Sequence, residues 1–119
     1  MIILLMLLCH VVDDFVLQPI CLSKLKCQGE WKTWEKDGMY KYDYLMALFI
    51  HAMSWSIMIH LPLMFMTSVP SGKLFLSVSI NLVLHFIIDD LKANRYRLNL
   101  IEDQLLHLVQ IFGTFLILY

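Results

Sequence analysis

The chain has 119 residues, 60% of them hydrophobic and 16% charged, with a mean hydropathy of +0.70 and a formal net charge of −1. Soluble domains average roughly 45–50% apolar and about 25% charged residues, so this composition excludes an ordinary soluble domain. The near-neutral charge, without a basic patch interleaved with aromatics, implies no nucleic-acid partner. At this length residues 1–119 form a single domain, and we expect an all-α integral membrane bundle of about four transmembrane helices in contact with the lipid bilayer.

Four apolar stretches each approach the roughly 20 residues needed to cross a bilayer. The first runs from about Ile2 to Leu22. Its opening residues resemble a signal-peptide core, but no Lys or Arg precedes them, and His10, Asp13 and Asp14 interrupt the run. A retained helix is therefore expected, with Pro19 bending or loosening its end. Ser23 to Tyr42 follows, with Trp31, Trp34 and Tyr40 among charges of both signs. This mixture suits an amphipathic loop or short helix lying on the membrane surface.

The second stretch runs from about Asp43 to Met66, with Pro70 and Gly72 as breakers after it. The third runs from about Lys73 to Leu91 and the fourth from about Leu100 to Tyr119. The short polar joint between these last two predicts antiparallel packing. Lysines and arginines orient the chain. Lys24, Lys26, Lys32, Lys36 and Lys41 lie in the first loop, and Lys92, Arg95 and Arg97 in the third, against Lys73 alone in the second. The first and third loops are thus expected to be cytoplasmic, with both termini on the opposite side.

Each stretch carries one polar face. His10, Asp14 and Gln18 mark the first, and His51 and Ser54 the second. Asn81, His85, Asp89 and Lys92 mark the third, and Asp103, His107, Gln110 and Thr114 the fourth. Residues three and four apart share one side of a helix. In a bilayer that side must face protein or a wet cavity, because an ionisable group near the centre costs about 2.5–3.5 kcal/mol on insertion scales. Depth gives a second test. Counting about 1.5 Å per residue from the cytoplasmic end puts Asp14 and His51 about 12 Å in, and His85 and His107 about 9–10 Å in. The polar groups therefore gather at one level, in the cytoplasmic leaflet.

Imidazole and carboxylate at i, i+4 can share one metal ion, and the pairs here are His10–Asp14, His85–Asp89 and Asp103–His107, with His51 unpaired. Such N/O donors suit Zn, Fe or Mn. The expected ligands are His10, Asp14, His51, His85, Asp89, Asp103 and His107. A catalytic base is expected among Asp14, Asp89 and Asp103, with Gln18, Lys92 and Gln104 facing substrate. Two other uses stay open at this point: hydrogen-bonded pairs that only hold the bundle together, and a proton or ion relay. His60 is expected to snorkel near the far end of its helix, and Asp13 and Asp90 to be flanking or loop charges. Trp55 and the methionines read as packing. Cys9, Cys21 and Cys27 form no CxxC pair and read as small apolar residues.

The runs HVVDDFVLQP, HAMSWSIMIHLP, HFIIDDLKAN and EDQLLHLVQ resemble a family of bacterial and phage membrane proteins grouped as domain of unknown function 3307. The family pattern places His-x-x-x-Asp-Phe-x-x-Gln in the first helix, matched by His10, Asp14, Phe15 and Gln18. His51 matches in the second helix, and His85, Asp89 and Lys92 in the third. Asp103, Gln104 and His107 match in the fourth. Asp13 departs from the pattern, adding a charge where a small residue is usual. The resemblance covers nearly the whole chain and implies an intramembrane polar site in a small protein often carried on phage genomes. It is looser toward membrane-bound metal-dependent hydrolases. The functional expectation is metal-assisted hydrolysis of a lipid-like substrate at the cytoplasmic leaflet. The rival is a non-enzymatic membrane protein, and either is compatible with a homo-oligomer.

Overall fold

The computed structural model describes residues 1–18, 20–33 and 38–119, with the backbone alone for residues 20 and 21. Helix α1 spans Ile2–Val12 and runs into a π-helical turn, Asp13–Leu17. Two short helices, α2 (Ile20–Leu25) and α3 (Gln28–Lys32), lead to α4 (Asp43–Met66), α5 (Ser71–Ala93) and α6 (Leu100–Leu118). The described residues contain no strand.

The first stretch is shorter than expected. Its helical run stops at Leu17, because Gln18 is extended, with φ −78° and ψ 100°. The bend attributed to Pro19 lies outside the described residues, as do Trp34 and Lys36. The segment after α1 also does more than lie on a surface, since it sends Lys26 into the bundle.

Local chemistry sets the other boundaries. Asn99 caps α6 by accepting from the Glu102 amide, while the Glu102 carboxylate accepts from the Asn99 amide, a reciprocal capping box. Helix α5 ends in a turn where Tyr96 adopts φ 52° and the Arg97 amide donates back to the Leu91 carbonyl at 2.9 Å. The left-handed residue reverses the chain there.

The long helices pack as a ring: α1 against α4, α4 against α5, α5 against α6, and α6 against α1. Neighbours run antiparallel. Between α5 and α6, Lys92 meets Asp103 and Asn81 meets Thr114. Helix α4 is wedged between α1 and α5, so buried residues cover about half its circumference, from His51 and Trp55 through Ser56 and Ile59 to His60. An apolar core of Met6, Trp55, Ile59, Leu63 and Ile111 fills the end of the ring away from the α5–α6 turn.

Burial is inverted relative to a soluble domain. The interior holds His10, Asp13, His51, His85, Asp89, Asp103 and His107, while Leu4, Phe65, Phe75, Leu116 and Ile117 stand exposed. Helices α4, α5 and α6 are each long and apolar enough to cross a membrane. Together, the polar interior and apolar exterior point to a membrane location.

Candidate metal centre

Four helices bring the polar stripes to one place. The π turn after α1 presents two adjacent carboxylates to α4: Asp13 Oδ2 lies 3.7 Å from His51 Nδ1, and Asp14 Oδ1 lies 3.5 Å from His51 Nε2. Asp89 on α5 reaches His51 Nε2 through Oδ2 at 3.5 Å and His107 Nε2 through Oδ1 at 3.7 Å. Asp103 Oδ1 lies 3.4 Å from His107 Nε2 on the same helix. His85, fully buried, sits between them, stacked on Trp55 at 4.2 Å and on His107 at 4.3 Å between ring centroids.

These separations are informative. A hydrogen bond between ring N–H and carboxylate spans about 2.7–3.2 Å. Two ligand atoms on one tetrahedral ion, each about 2.1 Å from it, stand about 3.4 Å apart. The imidazole–carboxylate distances of 3.4–3.7 Å around His51 and His107 sit nearer the second value. Two trios draw in further: Asp14, His51 and His85, and His85, Asp89 and His107, with the ligand atoms of each trio within 4.8 Å of one another.

The surroundings orient these groups. The Gln110 carbonyl oxygen faces His107 Nδ1 at 3.3 Å, which leaves the Nε2 lone pair turned toward Asp89 and Asp103. Asp13 stands beside His51 Nδ1 in the same way, and Ser54 donates to its Oδ1 at 2.6 Å. His10 differs. The Trp55 indole N–H donates to His10 Nδ1 at 2.9 Å, so in the neutral ring the proton rests on Nε2, and His10 joins neither trio.

Two lysines each hold a carboxylate oxygen of the cluster. Lys26 Nζ donates to Asp89 Oδ2 and Lys92 Nζ to Asp103 Oδ2, both at 2.6 Å. Gln104 donates to Asp103 Oδ2 at 3.1 Å and reaches toward Asp14 Oδ2 at 3.4 Å. A cleft of about 270 Å³ opens over these groups, lined among others by Asp14, Gln18, Lys26, Lys92, Gln104 and His107. Cys27 also lines it, but burial pushes its thiol up, which disfavours the nucleophilic thiolate. Cys9 and Cys27 are free thiols, and the Cys21 side chain lies outside the described residues.

Of the residues expected at a site, Asp14, His51, His85, Asp89, Asp103 and His107 converge, His10 stands beside them, and Gln18, Lys92 and Gln104 line the cleft. Asp90 remains at the periphery, paired with Arg95 at 2.9 Å. Three expectations are corrected. Asp13 is no flanking charge but is 1% exposed and faces His51, because the π turn points neighbouring residues to either side of that ring. His60 does not snorkel: it is fully buried, with Nδ1 2.7 Å from the Ser56 carbonyl and Nε2 2.9 Å from Ser77 Oγ. Trp55 does more than fill space, since its indole fixes His10. Lys26 carried no signal that separates it from the other lysines of its loop.

Comparison with known families bears on the same residues. The family described as protein of unknown function (DUF3307) matches residues 2–118. The chain belongs to that family. No curated protein and no solved structure matches it. The match covers every residue of the candidate centre, and the family carries no assigned reaction.

Proposed function

We propose that the chain is a metal-dependent hydrolase whose His/Asp centre lies within the membrane and opens at one leaflet to a lipid-like substrate. One observation carries the reading. Among the described residues, Asp13 Oδ2, Asp14 Oδ1, Asp103 Oδ1 and both ring nitrogens of His85 are buried without a hydrogen-bond partner. Each such atom costs about 1–3 kcal/mol when left unpaired. Polar residues retained only to hold helices together would pair with one another. Asp14 Oδ1, Asp103 Oδ1 and the acceptor nitrogen of His85 instead keep free lone pairs beside His51 and His107.

Charge supports the same reading. Asp13, Asp14, Asp89 and Asp103 bring four carboxylates, and Lys26 and Lys92 bring two ammonium groups. Buried charge must be matched, and a divalent ion supplies the remainder. The donors are imidazole and carboxylate, which suit Zn, Fe or Mn. Such an ion would draw its ligands from His51, His85, His107, Asp14, Asp89 and Asp103. An ion there would acidify a bound water toward neutral pH, and whichever carboxylate of Asp14, Asp89 and Asp103 is not a ligand would serve as the base. His10, expected as a further ligand, stands beside His107 with its ring held by Trp55. Gln18, Lys92 and Gln104 meet the substrate at the cleft mouth.

In this reading α1 with its π turn makes the fourth crossing. Its 16 helical residues span about 24 Å, slightly less than the roughly 30 Å hydrocarbon core. The lysine-bearing first and third connections, which meet where Asn94 binds the Gln28 amide and the Lys26 carbonyl, lie on the cytoplasmic side. The test is elemental analysis of the detergent-purified chain against the His85→Ala/Asp89→Ala variant. At least one equivalent of transition metal in the wild type and its loss in the variant is the expected result. A wild-type protein without stoichiometric metal overturns the proposal.

A further inference from the structure

We infer that the centre takes two metal ions, bridged by the Asp89 carboxylate. The inference rests on the metal-site reading above and deepens it from one ion to a pair. It starts from the arrangement of donors about Asp89. Oδ2 of that residue faces His51 Nε2 at 3.5 Å, and Oδ1 faces His107 Nε2 at 3.7 Å and His85 Nε2 at 3.8 Å. The two oxygens of one carboxylate thus address imidazoles on opposite sides of it.

Each side is completed by an outer carboxylate of its own. Asp14 Oδ1 stands 3.5 Å from His51 Nε2, and Asp103 Oδ1 stands 3.4 Å from His107 Nε2. Both of these oxygens are buried and unpaired among the described residues. The donor set therefore divides into two matching halves, Asp14 with His51 and Asp103 with His107, joined by Asp89. His85 belongs to both trios of ligand atoms. Its neutral ring has one free lone pair, so it completes one half, and the other half keeps a position for water.

A tetrahedral ion has four positions, fewer than the six residues that converge here. Two-metal sites hold their ions about 3.5–4 Å apart and share ligands between them, which is what a carboxylate with its two oxygens turned to two ligand groups provides. Lys26 holds Asp89 Oδ2 at 2.6 Å, but a carboxylate oxygen offers two lone-pair sites, so Oδ2 can keep that ammonium and still meet a cation. Two divalent ions also turn the charge of the centre from negative to positive, since four carboxylates then face two lysines and two dications. That favours an anionic ligand or a bridging hydroxide.

Manganese titration followed by electron paramagnetic resonance tests this without reference to activity. The full chain in detergent is stripped with chelator and titrated with Mn(II), and the free-ion signal counts the bound ions. We expect two per chain and the multiline spectrum of an exchange-coupled pair. Asp103→Ala is expected to leave one uncoupled ion, and Asp89→Glu to keep two coupled ions. The wild-type count decides the matter even if a variant does not fold. One ion per chain, or two without coupling, overturns the bridged pair and leaves a single-ion site standing. No bound ion removes the metal reading altogether.

Discussion

Lys26 and Asp89 are 63 positions apart in the chain, and their ammonium and carboxylate meet at 2.6 Å inside the bundle. The pair joins the connector after α1 to the middle of the candidate centre. Removing one member of a buried pair costs about 3–5 kcal/mol, because the other charge is left uncompensated. Lys26→Met should therefore destabilise the metal-free protein by about 3 kcal/mol in a denaturant titration run with chelator. With metal present the cation compensates Asp89, and the loss should shrink to below about 1 kcal/mol. Equal losses in both conditions would separate Lys26 from the centre.

His85→Leu should uncouple stability from function. The imidazole buries two unpaired nitrogens, at about 1–3 kcal/mol each. Leucine removes that penalty and gives up the stacking on Trp55 and His107, worth about 0.5–1.5 kcal/mol per pair. The metal-free variant should be as stable as the wild type or more so, while its metal content falls. A thermal midpoint well below that of the metal-free wild type would mark His85 as a structural residue.

Asp13→Asn keeps an oxygen to accept the Ser54 hydroxyl but removes the charge beside His51 Nδ1. Partners that orient a metal-bound imidazole typically contribute 10–100-fold in affinity. Competition against a chromogenic chelator should show a weakening in that range with stoichiometry unchanged. Ser54→Ala should follow with a smaller effect, since it loosens Asp13 without removing its charge.

The sidedness is open to chemical labelling. Tyr96 is exposed in the α5–α6 turn. In a chain with Cys9, Cys21 and Cys27 replaced by Ala, Tyr96→Cys should react with an impermeant maleimide in inside-out vesicles and resist it in intact cells. The reverse pattern would turn the cleft to the outer leaflet.

Much of the centre could be read from helical periodicity alone. His85 and Asp89, and Asp103 and His107, are single turns of regular helices, and regular helices preserve phase. The expectation failed where phase was broken or incomplete. A π turn begins at Asp13, so a 3.6-residue stripe could not place both carboxylates. His60 lies nine residues after His51, on nearly the opposite side of an ideal helix, yet both are buried because α4 is covered by α1 on one flank and α5 on the other. Lys26 sits in a connector without periodic pattern, and only the packing of that connector against Asn94 brings it inward.

Every one of the four long segments contributes to the centre, and none carries a full donor set: α1 and its π turn give His10 and Asp14, α4 gives His51, α5 gives His85 and Asp89, and α6 gives Asp103 and His107. Half-bundles cut at the α4–α5 joint would each be a poor chelator. A metal ion held at this centre would therefore be captured only after all four spans had found their places.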